Sequence, residues 1–481
     1  MELHVIYSRR MNNSTIIKGI AFLLCSIWLS MPVYAQGQKS ESSNADVSGK
    51  TPAQQQATAF FQKFKLSGFI QTQYQYGEAA ADGVDFKLAK RANAYESNPY
   101  YPGSNDYKGL DGFSRLGVRM GRFKLTYDEG IASGVVQLDI SEKGINDANV
   151  PGRNVVMFKD LYLQVKDPWF GTCALRTGIF DRPFGYEIAY SISFMEYPER
   201  SRITQTLFPD EKDLGVAVSL QPAKTSAWNF LKLEAGLFAG NGIKPQIDSH
   251  LDFIGHLSFA KTFGGNRSLS GGVSLYAGGV LQTDSSTFAM KDRIFALESK
   301  SRSNIGRLAM RQYIGFDLQY STKTSLGTTQ LRGEYLFGKH PGNASGAYNF
   351  NLNDIQGGPV YMRSISGGYV LLVQDLGRLP VSAVVKYDWY NPNTKISENA
   401  IGADQSKTGA GDIAMSNLGL GFFWRIHPTL KLTAYYNFIS NETTTNLKDR
   451  KDGNNNLIGY GYERNRPDNV FTLRLQYRFS M

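Results

Sequence analysis

The chain has 481 residues, with 52 Lys and Arg against 42 Asp and Glu and a formal net charge of +10. Beyond an N-terminal leader no apolar run approaches the ~18 residues of a helical span, so a helical membrane protein is excluded. Two cysteines, one of them inside that leader, exclude a disulfide framework or a cysteine metal cluster, and the scattered basic residues argue against a nucleic-acid partner.

The leader itself predicts export. Arg9, Arg10 and Lys18 form a basic start, Gly19–Leu29 an apolar stretch, and Val33-Tyr34-Ala35 a small-residue cleavage site, so residues 1–35 read as a signal peptide. Removing it leaves a mature charge of about +8 and one cysteine, Cys173. Residues 36–60, rich in Gln, Ser and Ala, read as a periplasmic linker, and residues 61–481 as one β domain.

Composition narrows the class of that domain. The mean hydropathy is only −0.31, yet the chain holds 27 Tyr, 29 Phe and 49 Gly. A transmembrane β-barrel has this profile, because each strand shows lipid a side chain only at every second position and the hydropathy averages out. In chain order the alternation predicts about sixteen strands. They are Lys65–Tyr76, Phe113–Tyr127, Ile131–Ser141, Lys159–Lys166, Thr172–Phe180, Asp213–Gln221, Leu231–Ala239, Leu251–Lys261, Ser270–Gln282, Arg307–Tyr320, Gln330–Gly338, Val360–Val373, Pro380–Tyr390, Ala414–Ile426, Thr429–Ser440 and Asn469–Phe479. Their connections alternate short and long, as periplasmic turns and extracellular loops of outer-membrane barrels do. The fold class expected is therefore all-β, a transmembrane antiparallel β-barrel in the outer membrane of a Gram-negative cell, with outer-membrane lipid around it.

Parity assigns faces. In the last strand Phe471, Leu473, Leu475, Tyr477 and Phe479 suit lipid, and Thr472, Arg474, Gln476 and Arg478 a watery lumen. Arg425, Arg474 and Arg478 are read as solvated or headgroup-bound strand-end residues rather than anion sites. In the second strand Leu116, Val118 and Met120 share one parity and Phe123, Leu125 and Tyr127 the other, so a bulge near Gly121 is expected.

The third long connection, 181–212, is unlike the rest. It runs for about thirty residues without strand alternation, a length that is rare unless functional or disordered. Five aromatics between Phe184 and Tyr197, followed by Arg200 and Arg202, are not a disordered composition, so the segment is read as a loop folded against a surface. Pro183-Phe184-Gly185 turns the chain off the fifth strand.

The stretch from Phe113 to Val218 resembles the phosphate-selective porin O/P family in its Bacteroidetes form. The matching residues are Arg115–Arg122 (RLGVRMGR), Lys159-Asp160-Leu161-Tyr162-Leu163, Leu175-Arg176-Thr177-Gly178-Ile179-Phe180, Arg182-Pro183-Phe184-Gly185-Tyr186-Glu187 and Phe194-Met195-Glu196. The resemblance implies a sixteen-stranded homotrimeric channel whose third loop folds into the pore and whose Arg and Lys side chains bind anions. The chain departs from the usual aromatic terminus, ending Phe479-Ser480-Met481.

Cation-lined lumens favour anions, and Arg suits phosphate because its planar fork makes paired hydrogen bonds. The candidate anion-binding residues are Arg119, Arg122 and Lys124 on the second strand, Arg176 on the fifth, and Arg182, Arg200 and Arg202 in the folded loop. Arg182 and Arg200 have a second reading, in which Glu187, Glu196 or Glu199 pairs with them and they pin the loop to the wall. The function expected is passive diffusion of small anions such as phosphate or polyphosphate, with no cofactor. A general diffusion porin and a barrel whose long loops bind a surface or sugar stay open. An enzyme is not expected, because His250, His256, His340 and His427 sit in no recognisable catalytic motif.

Overall fold

The computed structural model describes residues 60–78, 80, 112–141, 156–209, 211–244, 246, 248–344, 358–451, 453–455 and 457–481. The expected signal peptide and most of the linker lie outside the described residues, as does most of the 77–112, 142–158 and 339–359 connections. The strands are β1 (Phe64–Gly77), β2 (Phe113–Asp128), β3 (Ala132–Ser141), β4 (Val156–Lys166), β5 (Cys173–Asp181), β6 (Lys212–Leu220), β7 (Leu231–Phe238), β8 (Asp252–Phe263), β9 (Arg267–Leu281), β10 (Ser286–Lys291), β11 (Ile294–Lys300), β12 (Leu308–Thr324), β13 (Gly327–Gly342), β14 (Val360–Asp375), β15 (Val381–Asn391), β16 (Met415–His427), β17 (Leu430–Asn441), β18 (Arg450–Lys451), β19 (Leu457–Gly459) and β20 (Val470–Ser480). One helix, α1 (Arg202–Leu207), sits between β5 and β6.

Sixteen of these strands close a barrel, each antiparallel to its neighbours, in the order β1–β9, β12–β17, β20 and back to β1. The seam pairs Gln71 with Gln476 and Tyr76 with Phe471. Closure gives every strand two neighbours, which is what a sheet needs where lipid offers no hydrogen bonds. The faces follow parity. On β20 Leu473, Leu475 and Tyr477 are exposed, whereas Thr472, Arg474 and Gln476 are buried inside. Leu161, Leu163, Val216, Val218, Leu418 and Leu420 continue the exposed apolar belt around the outside, so the barrel is built to span a membrane.

Short turns such as 129–131, 264–266 and 428–429 gather at one end, and the long connections at the other. Two details differ from the sequence reading. The bulge in β2 falls at Arg119, because Gln71 pairs with Met120 and Thr72 with Val118. Met120 is thereby turned off the outer face of Leu116 and Val118 and is buried. The long 283–306 connection also holds the hairpin β10–β11, which reaches over to pair in parallel with β14 at Thr287 and Val360.

Candidate functional site

The loop between β5 and β6 folds inward and fills part of the lumen. Gly185 makes the entry turn at φ 62, and a Cβ there would overlap Glu334 Oε1 on β13. That close approach lets the loop backbone dock. Tyr186 and Glu187 N–H donate to Glu334 Oε2 at 3.1 and 3.0 Å, and Gly185 N–H to Ser274 Oγ at 2.8 Å. Below the turn, Phe184, Ile188, Ile203, Leu207 and Phe208 pack on Phe238, Ile254, Tyr276, Tyr313, Leu336 and Ile365 from the wall. A second cluster joins Met195 and Tyr197 to Tyr369, Leu371, Val373, Val384, Phe423 and Tyr435. The inward positions Ile365, Tyr369, Leu371 and Val373 of β14 are therefore apolar where a water-lined wall would be polar. Each fully buried Phe, Ile or Leu of the loop contributes about 1.5–3 kcal/mol to docking.

Charges complete the attachment. The Glu187 carboxylate is fully buried and accepts from Lys386 Nζ at 2.9 Å, Tyr197 OH at 2.9 Å, Ser201 N–H at 3.0 Å and the Ser201 hydroxyl. Burial works against its ionisation, but Lys386 and Ser201 outweigh that and hold the carboxyl below the ordinary glutamate range. Burial likewise opposes the charge on Glu211, and Arg200, Lys159, Arg122 and Lys212 outweigh it in the same direction. Glu199 takes two bonds from Arg119 at 3.2 and 3.1 Å and one from Arg474 at 2.5 Å. Glu196 takes a two-bond fork from Arg332 at 3.0 and 2.9 Å.

The seven sequence-predicted residues separate into two groups. Arg119 binds Glu199 at the bulge, and Arg182 lies 3.2 Å from Asp213. Arg200 pairs with Glu211 and donates to the Glu187, Ile188 and Tyr190 carbonyls. Arg182 thus ties the loop to the wall through Asp213 on β6, whereas Arg200 staples the loop to itself, and the carboxylate partners are Asp213 and Glu211 rather than Glu187, Glu196 or Glu199. The Arg202 backbone N–H donates to Asp388 Oδ1 at 3.0 Å, and no carboxylate pairs with its side chain among the described residues. Arg122 is buried against Asp139 at 3.3 Å. On the barrel wall Lys124 reaches Asp160 at 3.4 Å while keeping 33% of its side chain exposed. Arg176 donates to Gln164 Oε1 at 3.2 and 2.9 Å and stacks over Tyr162 and Phe180 at 5.1 and 5.3 Å. No carboxylate pairs with Arg176 among the described residues.

Sequence reasoning missed the wall partners of the loop: Lys386, Arg332, Glu334 and Arg474. Parity places Arg474 inside but cannot say what it meets. Arg474 is not a solvated strand-end residue; it is buried on Glu199 and Gln73. Arg478 also faces inward, 4.5 Å over the Phe194 ring of the loop. Arg425 does stand exposed, paired with Asp375. Among the described residues no group of three or more His, Cys, Asp or Glu is placed to hold a metal.

A closed antiparallel barrel of sixteen strands, with short turns at one end and its third long loop folded into the lumen, defines a porin-type outer-membrane β-barrel. No protein-family model matches the chain, and no curated protein sequence does. Among solved structures it is similar to OprB of Pseudomonas putida, with a TM-score of 0.49 and 10% identity over 89% of this chain and 96% of that one. It is also similar to the outer membrane channel DcaP of Acinetobacter baumannii, with a TM-score of 0.48 and 11% identity over 86% and 97%. OmpF of Salmonella typhi gives 0.47 and 9% over 86% and 97%.

Proposed function

We propose that this chain is a passive diffusion channel of the outer membrane that favours small anions, phosphate among them. The observation that carries the reading is Arg176, an inward-facing arginine whose partners are an amide and two aromatic rings, so its full charge acts on the lumen. Lys124, one-third exposed, adds to the same stretch of wall. Fixed positive charge in a lumen with low-dielectric walls lowers the entry barrier for anions and raises it for cations. In this reading residues 1–35 direct export, residues 36–60 form a periplasmic linker and 61–481 the barrel, and three copies assemble as the family resemblance implies.

A specific observation favours a second reading, a general diffusion porin without phosphate preference. Arg119, Arg122, Arg182, Arg200 and Arg332 all face carboxylates, which cancel much of the ladder's field. Reversal potential across planar bilayers under a KCl gradient, repeated with phosphate, separates the two. Chloride preference with millimolar phosphate block that weakens in Arg176→Gln supports the first. Indifference to phosphate leaves the second, and cation preference removes the anion reading altogether.

A further inference from the structure

The loop packs against β7–β9, β12–β17 and β20, and the side it leaves uncovered is what a solute meets. Between Tyr186 and Phe194 that side carries no exposed charge. Glu187, the one ionisable carboxylate in the stretch, is fully buried, and the partly exposed or exposed residues are Tyr186, Ala189, Tyr190, Ser191, Ile192 and Phe194. Phe194 is 55% exposed inside the barrel. Lumens of such barrels are polar, and an exposed apolar patch in one is a marked surface.

The patch is ordered and has cations set into it. Tyr186 and Tyr190 stack at 5.2 Å and 25°, and the Arg332 guanidinium lies 5.7 and 4.7 Å from their ring centres. Glu196 occupies that arginine, so it serves to hold the rings. The other cation differs. Arg478 stands 4.5 Å from the Phe194 ring, is half-buried, and no carboxylate pairs with it among the described residues. The loop is held there by Gln476 Nε2 donating to Ser193 O at 2.8 Å and Lys431 Nζ to Met195 O at 2.6 Å.

We infer that this face of the loop is a solute-binding site for small aromatic carboxylates, with the flat apolar ring lying on Phe194 and the carboxylate on Arg478. Charge complementarity selects the anionic end, since Arg478 has donors to offer and no acidic partner among the described residues. Ring stacking and the cation beside the ring select the flat apolar body over a compact anion of the same charge. The inference rests on the anion-favouring reading but names a different discriminating surface from the Arg176 wall.

The test uses the full-length channel in planar bilayers, with benzoate and acetate as probes. Benzoate is expected to permeate or block more strongly than acetate, by about threefold beyond the ratio of their mobilities in free solution. Phe194→Ser removes that excess. Phe194→Leu, which keeps the apolar bulk and loses the ring, lowers it even if the serine variant fails to assemble. Arg478→Gln weakens the response to both carboxylates. A benzoate-to-acetate ratio equal to the free-solution ratio in the native channel, or one unchanged in Phe194→Leu, overturns the inference. The KCl reversal potential reports separately on the anion reading. An anion-selective channel without a benzoate excess overturns the site alone, and cation selectivity overturns the reading beneath it.

Discussion

Lys386→Met tests what holds the loop in the lumen. Lys386 is 2% exposed and Glu187 is fully buried, so the substitution leaves a desolvated carboxylate without its cation while conserving side-chain bulk. Breaking a buried pair by removing one partner costs about 3–5 kcal/mol. The hydrophobic contacts of Phe184, Ile188, Ile203, Leu207 and Phe208 survive, so the loop stays docked on average, but its undocked population rises by about 10²–10⁴-fold. Undocking exposes Arg200 and Arg202 to trypsin, whereas the closed sheet stays resistant. Where reclosing is fast relative to cleavage, the cutting rate follows the open population. Trypsin digestion of the channel in detergent should therefore cleave Lys386→Met within the 182–211 segment at least about a hundredfold faster than the native protein. The double variant Glu187→Gln/Lys386→Met removes both charges, and most of the native resistance should return, because the penalty lies in the unpaired charge. A single variant cut at the native rate, or a double variant as labile as the single, would refute the latch.

Gly185→Ala should weaken the same docking from its other end. The left-handed backbone alone costs an alanine about 1–2 kcal/mol, and its Cβ would overlap the Glu334 carboxylate. The temperature at which the folded band is lost in heat-modifiability gels should fall, and an unchanged temperature would contradict the turn geometry. The pH dependence has a definite sign. Glu187 and Glu211 are held below their ordinary value of 4.5, so their contribution to docking is complete above that value and is lost as the pH falls through the lowered ones. Open-channel current noise should be flat from neutral pH to about 4.5 and rise in stronger acid; a rise between pH 7 and 5 would assign the gating to other groups.

The barrel was legible in the sequence because its signals are local. Lipid on one face and water on the other impose a period of two on each strand, so Leu473, Leu475 and Tyr477 declare their side without knowledge of any neighbour. Loop lengths along the chain gave the two ends, and the composition of 181–212 marked it as a folded loop. The β2 bulge was visible as a parity break, though its placement at Arg119 came from pairing with β1.

What the loop's charges do was not legible, because their partners lie far along the chain. Glu187 meets Lys386 across 199 residues and Glu199 meets Arg474 across 275. Only closing the barrel brings β15 and β20 opposite the loop. Sequence alone determined that this protein is a membrane-spanning barrel with an inward-folding third loop and cations facing its lumen. The tertiary structure decided which cations pin that loop and which leave their charge on the lumen, since pairing depends on distances across the barrel that no local pattern encodes.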